Sequence, residues 1–359
     1  EFFTGVPDSL LKDLCGCISS TINNKSHIIA ANEGAAVGLA IGNHLATGKI
    51  PLVYLQNSGL GNIVNPVLSL ASAEIYGIPM IILVGWRGEP MQKDEPQHLH
   101  QGRVMESMID VMEIPKFILS NNPPEAETQT KEAVNLALKK TTPVIIVVRK
   151  NMFKKYSFIS PTFHKKISRE EAIVEATKTI EDNALVVSTT GMASRELFEY
   201  RALHNLGHHK DFLTVGGMGH ASQIALGIAL ARPKRAVYCF DGDGASLMHM
   251  GSLAIIGQSN CDNYTHIIFN NGVHGSVGGQ PTVAFDINFS EIATGCGYKS
   301  VFKTDNLKEF KDHINKAKKI DGPVFIEVQT TTSYRIDLGR PKSTPLQNKI
   351  SLMNYIEKS

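Results

Sequence analysis

Asp243 and Asn271 are the residues whose types and spacing could do chemistry. Gly242-Asp243-Gly244 closes an apolar run, AVYCF at 236–240, and Asn270-Asn271 closes another, HIIF at 266–269, with twenty-five residues between Gly244 and Asn270. Continuous apolar runs of this length read as buried parallel strands, and the intervening stretch suffices for one crossover helix. Asp243 and Asn271 then fall at the carboxyl ends of neighbouring strands, where open α/β sheets bind ligands. Both offer the hard oxygens that Mg²⁺ takes while it holds phosphate groups. Gly242, Gly244, Ala245 and Ser246 would meet such phosphates with N–H groups at the start of the following helix. Singly, Gly-Asp-Gly and Asn-Asn are ordinary turn dipeptides; the pairing and the strand context make them a candidate site.

A second acidic position, Glu33, opens the stretch EGAAVGLAIGNHLATGK at 33–49. A carboxylate at a strand-to-helix junction suits the positive end of a helix dipole, which explains it without chemistry. Six small residues follow within ten positions, and each glycine costs helix propensity. Close packing against another surface, such as a second subunit, would compensate. Farther on, Ser58, Gly59, Gly61 and Asn62 form a glycine-rich strand-to-helix turn. GWRGEPMQKDEPQHLHQG at 85–102 reads as a long polar loop, a type more often functional than average, with Arg87, Lys93, His98 and His100 as candidate contacts for an anion.

Together these segments resemble the thiamine diphosphate-dependent decarboxylases and synthases. Glu33, Ala36, Ala40, Gly42, Thr47, Gly48 and Lys49 match the family's glutamate segment. The resemblance implies thiamine diphosphate and Mg²⁺ as cofactors, with Glu33 bonded to the cofactor's aminopyrimidine so that an internal base arises beside thiazolium C2. It implies Asp243, Asn271 and the carbonyl of Val273 as metal ligands. Ser58 and Gly59 lie near the cofactor, and Gly191 and Met192 near its diphosphate. Met218, after Gly217 in VGGMGHASQ, is the apolar prop that bends the cofactor. The segment NNGVHGSVGGQPT at 270–282 is most similar to a subgroup acting on short anionic 2-oxo acids, phosphonopyruvate first and sulfopyruvate second. His274, His98 and Gln280 become candidates for proton transfer or substrate contact there. A different class, a silent nucleotide-binding or regulatory homologue, is disfavoured by the joint presence of Glu33, Asp243 and Asn271.

The elements that position these residues alternate. Strand-like stretches at 27–31, 51–55, 78–84, 115–119 and 143–148 interleave with helical ones at 34–46, 63–76, 102–112 and 124–140. The pattern resumes with helix 168–181 and strand 184–188, and ends with strand 298–302, helix 305–318 and strand 323–329. This alternation predicts two doubly wound parallel-sheet α/β domains, at 1–155 and 168–359, joined by a Lys-, Ser- and Pro-bearing linker at 156–167. A third, central domain has no room. The resemblance assigns the pyrimidine end of the cofactor to the first domain and the diphosphate to the second, within a homodimer or larger assembly whose sites lie at subunit interfaces.

Composition bounds the alternatives. The chain has 359 residues, 42% hydrophobic and 19% charged, with net charge +2, which is ordinary globular composition and no footprint for nucleic acid. No apolar run approaches the ~20 residues that span a bilayer. Five cysteines make no disulfide framework, and Cys15-Gly-Cys17 lacks companion zinc ligands; reduced thiols in the cytoplasm are the simplest reading. The chain begins at Glu1 rather than methionine, which leaves room for a preceding segment.

Overall fold

A computed structural model describes residues 1–358. They divide into two compact units: Glu1–Ser160 with His274–Gln280, and Pro161–Val273 with the residues from Pro281 onward.

In the first unit, β1 (Phe3–Gly5), α1 (Lys12–Thr21), β2 (His27–Ile29), α2 (Glu33–Thr47) and β3 (Leu52–Gln56) lead through a tight turn at Asn57–Gly59 into α3 (Leu60–Pro66). Then come β4 (Met80–Gly85), α4 (Pro96–Val111), β5 (Lys116–Ile118), α5 (Pro123–Lys140) and β6 (Pro143–Val148). The six strands are all parallel, in the order β2-β1-β3-β4-β6-β5. β4 and β6 are apolar and buried along their whole length, because helices cover both sheet faces. One core packs Val37, Ile63 and Met105 against one face, and another packs Leu11, Cys15 and Ala137 against the other. The chain leaves β1 toward β2 on one side and reaches β3 on the other, so a topological switch point lies between β1 and β3, the place such sheets use for ligands.

The second unit runs α6 (Arg169–Thr179), β7 (Leu185–Ser188), α7 (Met192–Leu203), β8 (Asp211–Leu213), α8 (Ala221–Ala231), β9 (Val237–Gly242), α9 (Asp243–Met248), α10 (Gly251–Gln258) and β10 (Tyr264–Asn270). It closes with α11 (Phe289–Cys296), β11 (Ser300–Thr304), α12 (Leu307–Ala317), β12 (Val324–Gln329) and α13 (Pro345–Lys358). Its sheet is again six parallel strands, β11-β12-β10-β9-β7-β8. The switch point falls between β7 and β9, whose carboxyl ends carry Gly191 and Asp243.

Several expected boundaries move. Two helices, α9 and α10, replace the single crossover helix expected between the Asp243 and Asn271 motifs. The segment read as a helix at 63–76 starts at Leu60 and closes through a π-type turn at Val67–Ala71. The polar loop expected to run to 102 ends early, because Pro96 starts α4 at the first-turn position proline favours; His98 and His100 are therefore helical. β1 and β8 are not among the expected strands: the glycine of FTG and the aspartate of DFL interrupt the apolar pattern, whereas β2 and β5 lie within the longer strand-like stretches at 27–31 and 115–119. Among the described residues, no helix is long and apolar enough to cross a membrane.

Candidate active site

In the first unit the candidate side chains lie at the carboxyl ends of β1, β2, β3 and β4. Asn32 caps α2, its side chain accepting from Ala35 N–H at 2.9 Å, and so sets Glu33 as the first helical residue. Glu33 is buried at 5% exposure. Asn62, on the first turns of α3, donates from Nδ2 to Glu33 Oε2 at 2.7 Å. Gly59 lies flush against the same carboxylate: a Cβ there would come 2.6 Å from Glu33 Cδ. Only a residue without a side chain allows that approach. Ser58 is exposed beside it and accepts from Gln56 Nε2.

Asn57 couples this turn to the next strand end. Its Nδ2 donates to Arg87 O at 2.8 Å, and its Oδ1 accepts from Arg87 N–H at 3.2 Å. Arg87 does not present a free guanidinium. Nε donates to Asp94 at 2.8 Å, a second nitrogen pairs with the same carboxylate, and Nη1 donates to Ser9 Oγ at 2.6 Å. Burial works against the Asp94 charge, but the Arg87 pair and the N–H groups of Glu95 and Gly88 outweigh it and hold its carboxyl far below the usual range. Each of the three guanidinium nitrogens of Arg87 is thus engaged within the unit, which fixes the shape of the loop. Gly88, at φ +70°, packs under the start of α4, where a Cβ would strike the His98 carbonyl. His98 is partly buried there; Lys93 and His100 are exposed, and His100 accepts from Arg103 at 2.9 Å.

Asp8 is the residue that sequence reasoning missed. It is fully buried after β1. Oδ2 accepts from Leu10 N–H at 3.1 Å, while Oδ1 has no hydrogen-bond partner among the described residues. Burial pushes its carboxyl up to about 6, against the pull of Arg87 and three backbone N–H groups. The stretch FFTGVPDSLL contains it, but a three-residue strand and a proline hide the strand end on which it sits.

In the second unit, Asp243 begins α9 directly after β9 and is 3% exposed. Burial raises its carboxyl to about 6; hydrogen bonds from Thr282 and from the backbone N–H groups of Asn271 and Gly244 resist that rise. Thr282 Oγ1 donates to Oδ2 at 2.6 Å. The paired asparagines divide their labour. Asn270 ties down the turn by donating to Glu327 at 2.8 Å and accepting from Gly272 N–H. Asn271 accepts only a long bond, 3.2 Å, from Val273 N–H, which leaves an amide oxygen suited to a cation. Val273 pairs across the loop with Pro281. Gly244, Ala245 and Ser246 form the first turn of α9. Behind them Asp241 accepts from Gly242 N–H, Ser246 Oγ and His266 Nε2 at 2.9, 3.1 and 3.3 Å, and Tyr298 backs the other ring nitrogen of His266 at 3.0 Å. Cys239, Asp241 and His266 lie within 4.8 Å of one another, yet burial drives the Cys239 thiol far up, which opposes the thiolate a metal needs. That trio braces the strand end.

Gly191 precedes α7 at φ +99°, and Met192 is that helix's first residue. Gly217 is exposed, and Met218, partly buried, sits in the turn after it, outside the hydrophobic cores. His274 is partly exposed as a residue, but burial of its imidazole pushes the pKa down to about 4. The donor set at Asp243, Asn271 and Val273 is all oxygen, as a Mg²⁺–diphosphate group requires, and the buried Asp243 carboxylate lacks a countercharge that a divalent cation would supply.

These two strand-end sites belong to one family. Residues 1–114 match the N-terminal TPP binding domain of thiamine pyrophosphate enzymes and residues 189–328 the C-terminal TPP binding domain; the chain is a member of the thiamine pyrophosphate enzyme family. It is 32% identical to phosphonopyruvate decarboxylase of Streptomyces viridochromogenes over 96% of this chain and 88% of that one. It is 27% identical to sulfopyruvate decarboxylase of Methanosarcina acetivorans over 90% of this chain and 86% of that one. The sulfopyruvate decarboxylase subunit beta of Methanocaldococcus jannaschii matches at 32% identity, aligning over its whole length with 55% of this chain.

Two expectations follow from this geometry. Gly59→Ala should push the Glu33 carboxylate aside; with a displacement near 1 Å, turnover with added cofactor falls on the order of 10²-fold while circular dichroism stays native. A variant with full turnover would show that Glu33 tolerates the added methyl. Asp8→Asn bears on stability. Because the folded-state pKa of Asp8 lies above its ordinary 3.8, the folded protein holds a proton that the unfolded chain has released, and stability is lost as pH rises from about 4 to 6. The Asn variant should therefore be more stable than wild type by up to about 3 kcal/mol above pH 6, with the gap closing below pH 4. Urea unfolding across that range reads it, and a constant gap would refute the assignment.

Proposed function

We propose that this protein is a thiamine diphosphate- and Mg²⁺-dependent decarboxylase of a short, strongly anionic 2-oxo acid, converting phosphonopyruvate to phosphonoacetaldehyde and CO₂. The observation that carries the reading is the buried Glu33 carboxylate, held by Asn62 and fitted against Gly59, on a chain similar over nearly its full length to phosphonopyruvate decarboxylases. Sulfopyruvate is the alternative, favoured by the next relative. A silent nucleotide-binding homologue would have no use for a buried carboxylate at each strand end.

Bound thiamine diphosphate supplies a carbon nucleophile and an electron sink for loss of CO₂. The residues of this chain do the rest. Glu33 holds the proton relation at the pyrimidine ring, and Asn62 keeps its carboxylate turned to one rotamer. Asp243, Asn271 and the Val273 carbonyl would hold Mg²⁺, while N–H groups at Gly244, Ala245, Ser246, Gly191 and Met192 would receive diphosphate oxygens. Met218 would pack against the cofactor. Asp8, with a free oxygen and a pKa near 6, keeps a protonated share near neutral pH and suits the role of proton donor. His274, with its imidazole neutral, would contribute a hydrogen bond rather than a charge. His98, Lys93 and His100 supply the cationic or polar side of the substrate entrance.

The assembly is a homodimer or larger. Gly38 and Gly42 on α2 open onto space that a Cβ would not fill, and Leu39 and Leu45 on the same helix, with Ile75 and Tyr76 beyond α3, are exposed, a combination suited to burial against a second copy. The five free cysteines suit the reducing cytoplasm.

The test is CO₂ release from phosphonopyruvate, sulfopyruvate and pyruvate by protein supplied with thiamine diphosphate and Mg²⁺. Phosphonopyruvate should give the highest kcat/KM; preference for sulfopyruvate transfers the reading to the alternative, and inactivity on all three removes it. Glu33→Gln should lower kcat by about 10²- to 10⁴-fold, and near-normal turnover in that variant would sink the role given to Glu33. Sedimentation should show no monomer at the concentrations of the assay.

A further inference from the structure

Gln280 is 1% exposed, yet neither Oε1 nor Nε2 of its amide has a hydrogen-bond partner among the described residues. Its backbone, by contrast, is closely tied. The Gln280 carbonyl accepts from His274 N–H at 2.8 Å, and Gly279 N–H donates to the His274 carbonyl at 3.0 Å. One residue on, Pro281 pairs with Val273. Two residues on, Thr282 donates from its N–H to Gly272 O at 2.8 Å and from its hydroxyl to Asp243. The loop is thus pinned at both feet to the metal-binding strand end, and the amide it carries is held in place with nothing to bond.

Buried amides without partners cost stability and are rare. A fold that fixes the backbone this firmly while leaving the side chain orphaned is arranged for a ligand. The amide states what that ligand must offer: one acceptor for Nε2–H and one donor for Oε1. Exchanging the two ends of the amide leaves the requirement unchanged. Among groups on a short 2-oxo acid, carboxylate, ketone and sulfonate oxygens only accept. A phosphonate carrying one proton both accepts and donates.

Resting on the decarboxylase reading above, we propose that Gln280 is the residue that selects phosphonate over sulfonate, by pairing its amide with the P–O and P–OH groups of the monoprotonated substrate. A site built to bond a hydroxyl discriminates strongly against an analogue that lacks it, because its own polar group is then left unpaired. Thr282, which shares the loop, keeps this contact in register with the metal ligand Asp243 and acts as a positioning residue.

The experiment uses the full chain with thiamine diphosphate and Mg²⁺, comparing wild type with Gln280→Met, which keeps the volume and removes donor and acceptor together, and with Gln280→Leu as a second apolar replacement. For phosphonopyruvate, kcat/KM should fall on the order of 10²-fold, as expected for hydrogen bonds to a charged group; for sulfopyruvate it should change less than about 5-fold. The ratio of wild type to variant on phosphonopyruvate should be largest below pH ~6, near the second pKa of a phosphoryl-type group, and shrink as the dianion takes over. Thiamine diphosphate affinity, read by fluorescence titration, should stay unchanged. The cofactor-free variants should melt at the wild-type temperature or a few degrees higher, since a buried orphan amide has been removed. Equal losses on both substrates, weakened cofactor binding, or a lower melting temperature in both variants would overturn the proposal, the last by showing that the amide is held by a trapped water or by packing. Wild-type protein inert toward phosphonopyruvate would instead defeat the substrate reading, and the inference with it.

Discussion

A carboxylate taken out of water at the end of a parallel strand is costly, and each unit of this protein is built around one. The desolvation of a lone carboxylate disfavours its charged form strongly enough to raise its pKa by units. Asp8 and Asp243 show that effect directly, each pushed to about 6 by burial. The sheet architecture makes such placement possible. Parallel strands bring their carboxyl ends to one edge, helix N-termini arrive at the same edge, and at the switch point the covering helices part. Backbone N–H groups there offset part of the cost. What they leave at Asp243 is a buried carboxylate with no countercharge among its described neighbours, a demand that a cation would meet.

That demand separates the carboxylates that serve the fold from those that await a ligand. Arg169 and Glu196 make two 2.8 Å bonds in the interior, and Arg201 pairs with the fully buried Asp211; each acid has an internal cation, although burial still pushes the Asp211 carboxyl up to about 6, so a raised pKa alone does not mark a ligand site. Asp241 is likewise satisfied by Gly242, Ser246 and His266, so this first acid of the Asp-Gly-Asp-Gly run braces the turn while the second faces the site. The same division runs through Asn270 and Asn271, and through Arg87, whose cationic appearance in sequence conceals an internal pair with Asp94. Residue type alone does not distinguish the two roles. The count of bonds made against bonds possible does.

The sequence made the architecture legible because both sheets are parallel and buried on both faces. β4, β6, β9 and β10 stand out as apolar runs, and α5 and α12 as periodic helices between turn signals. The candidate cofactor positions stood out for a related reason. Each needs a residue type with few substitutes: a glycine against a carboxylate, an acid after a strand, an amide at the next strand end. The short strands β1 and β8 are interrupted by a glycine and an aspartate, and with β1 went Asp8. The start of α4 was lost because a polar, His-bearing turn of helix looks like a loop until Pro96 is seen as its first residue.

Side-chain commitment was the part that sequence could not carry. Whether Arg87 is free or paired depends on Asp94, seven residues away, folding back over it, and whether Gln280 is satisfied depends on how the five residues between His274 and Gln280 are closed. The loop's closure is itself set by the metal-binding end: Val273 pairs with Pro281, and Thr282 reaches Asp243. The candidate ligands Asn271 and Val273 and the backbone of Gln280 therefore lie on one short stretch, residues 271–282, whose glycines at 272, 275, 278 and 279 are plain in the sequence while the way it closes is not.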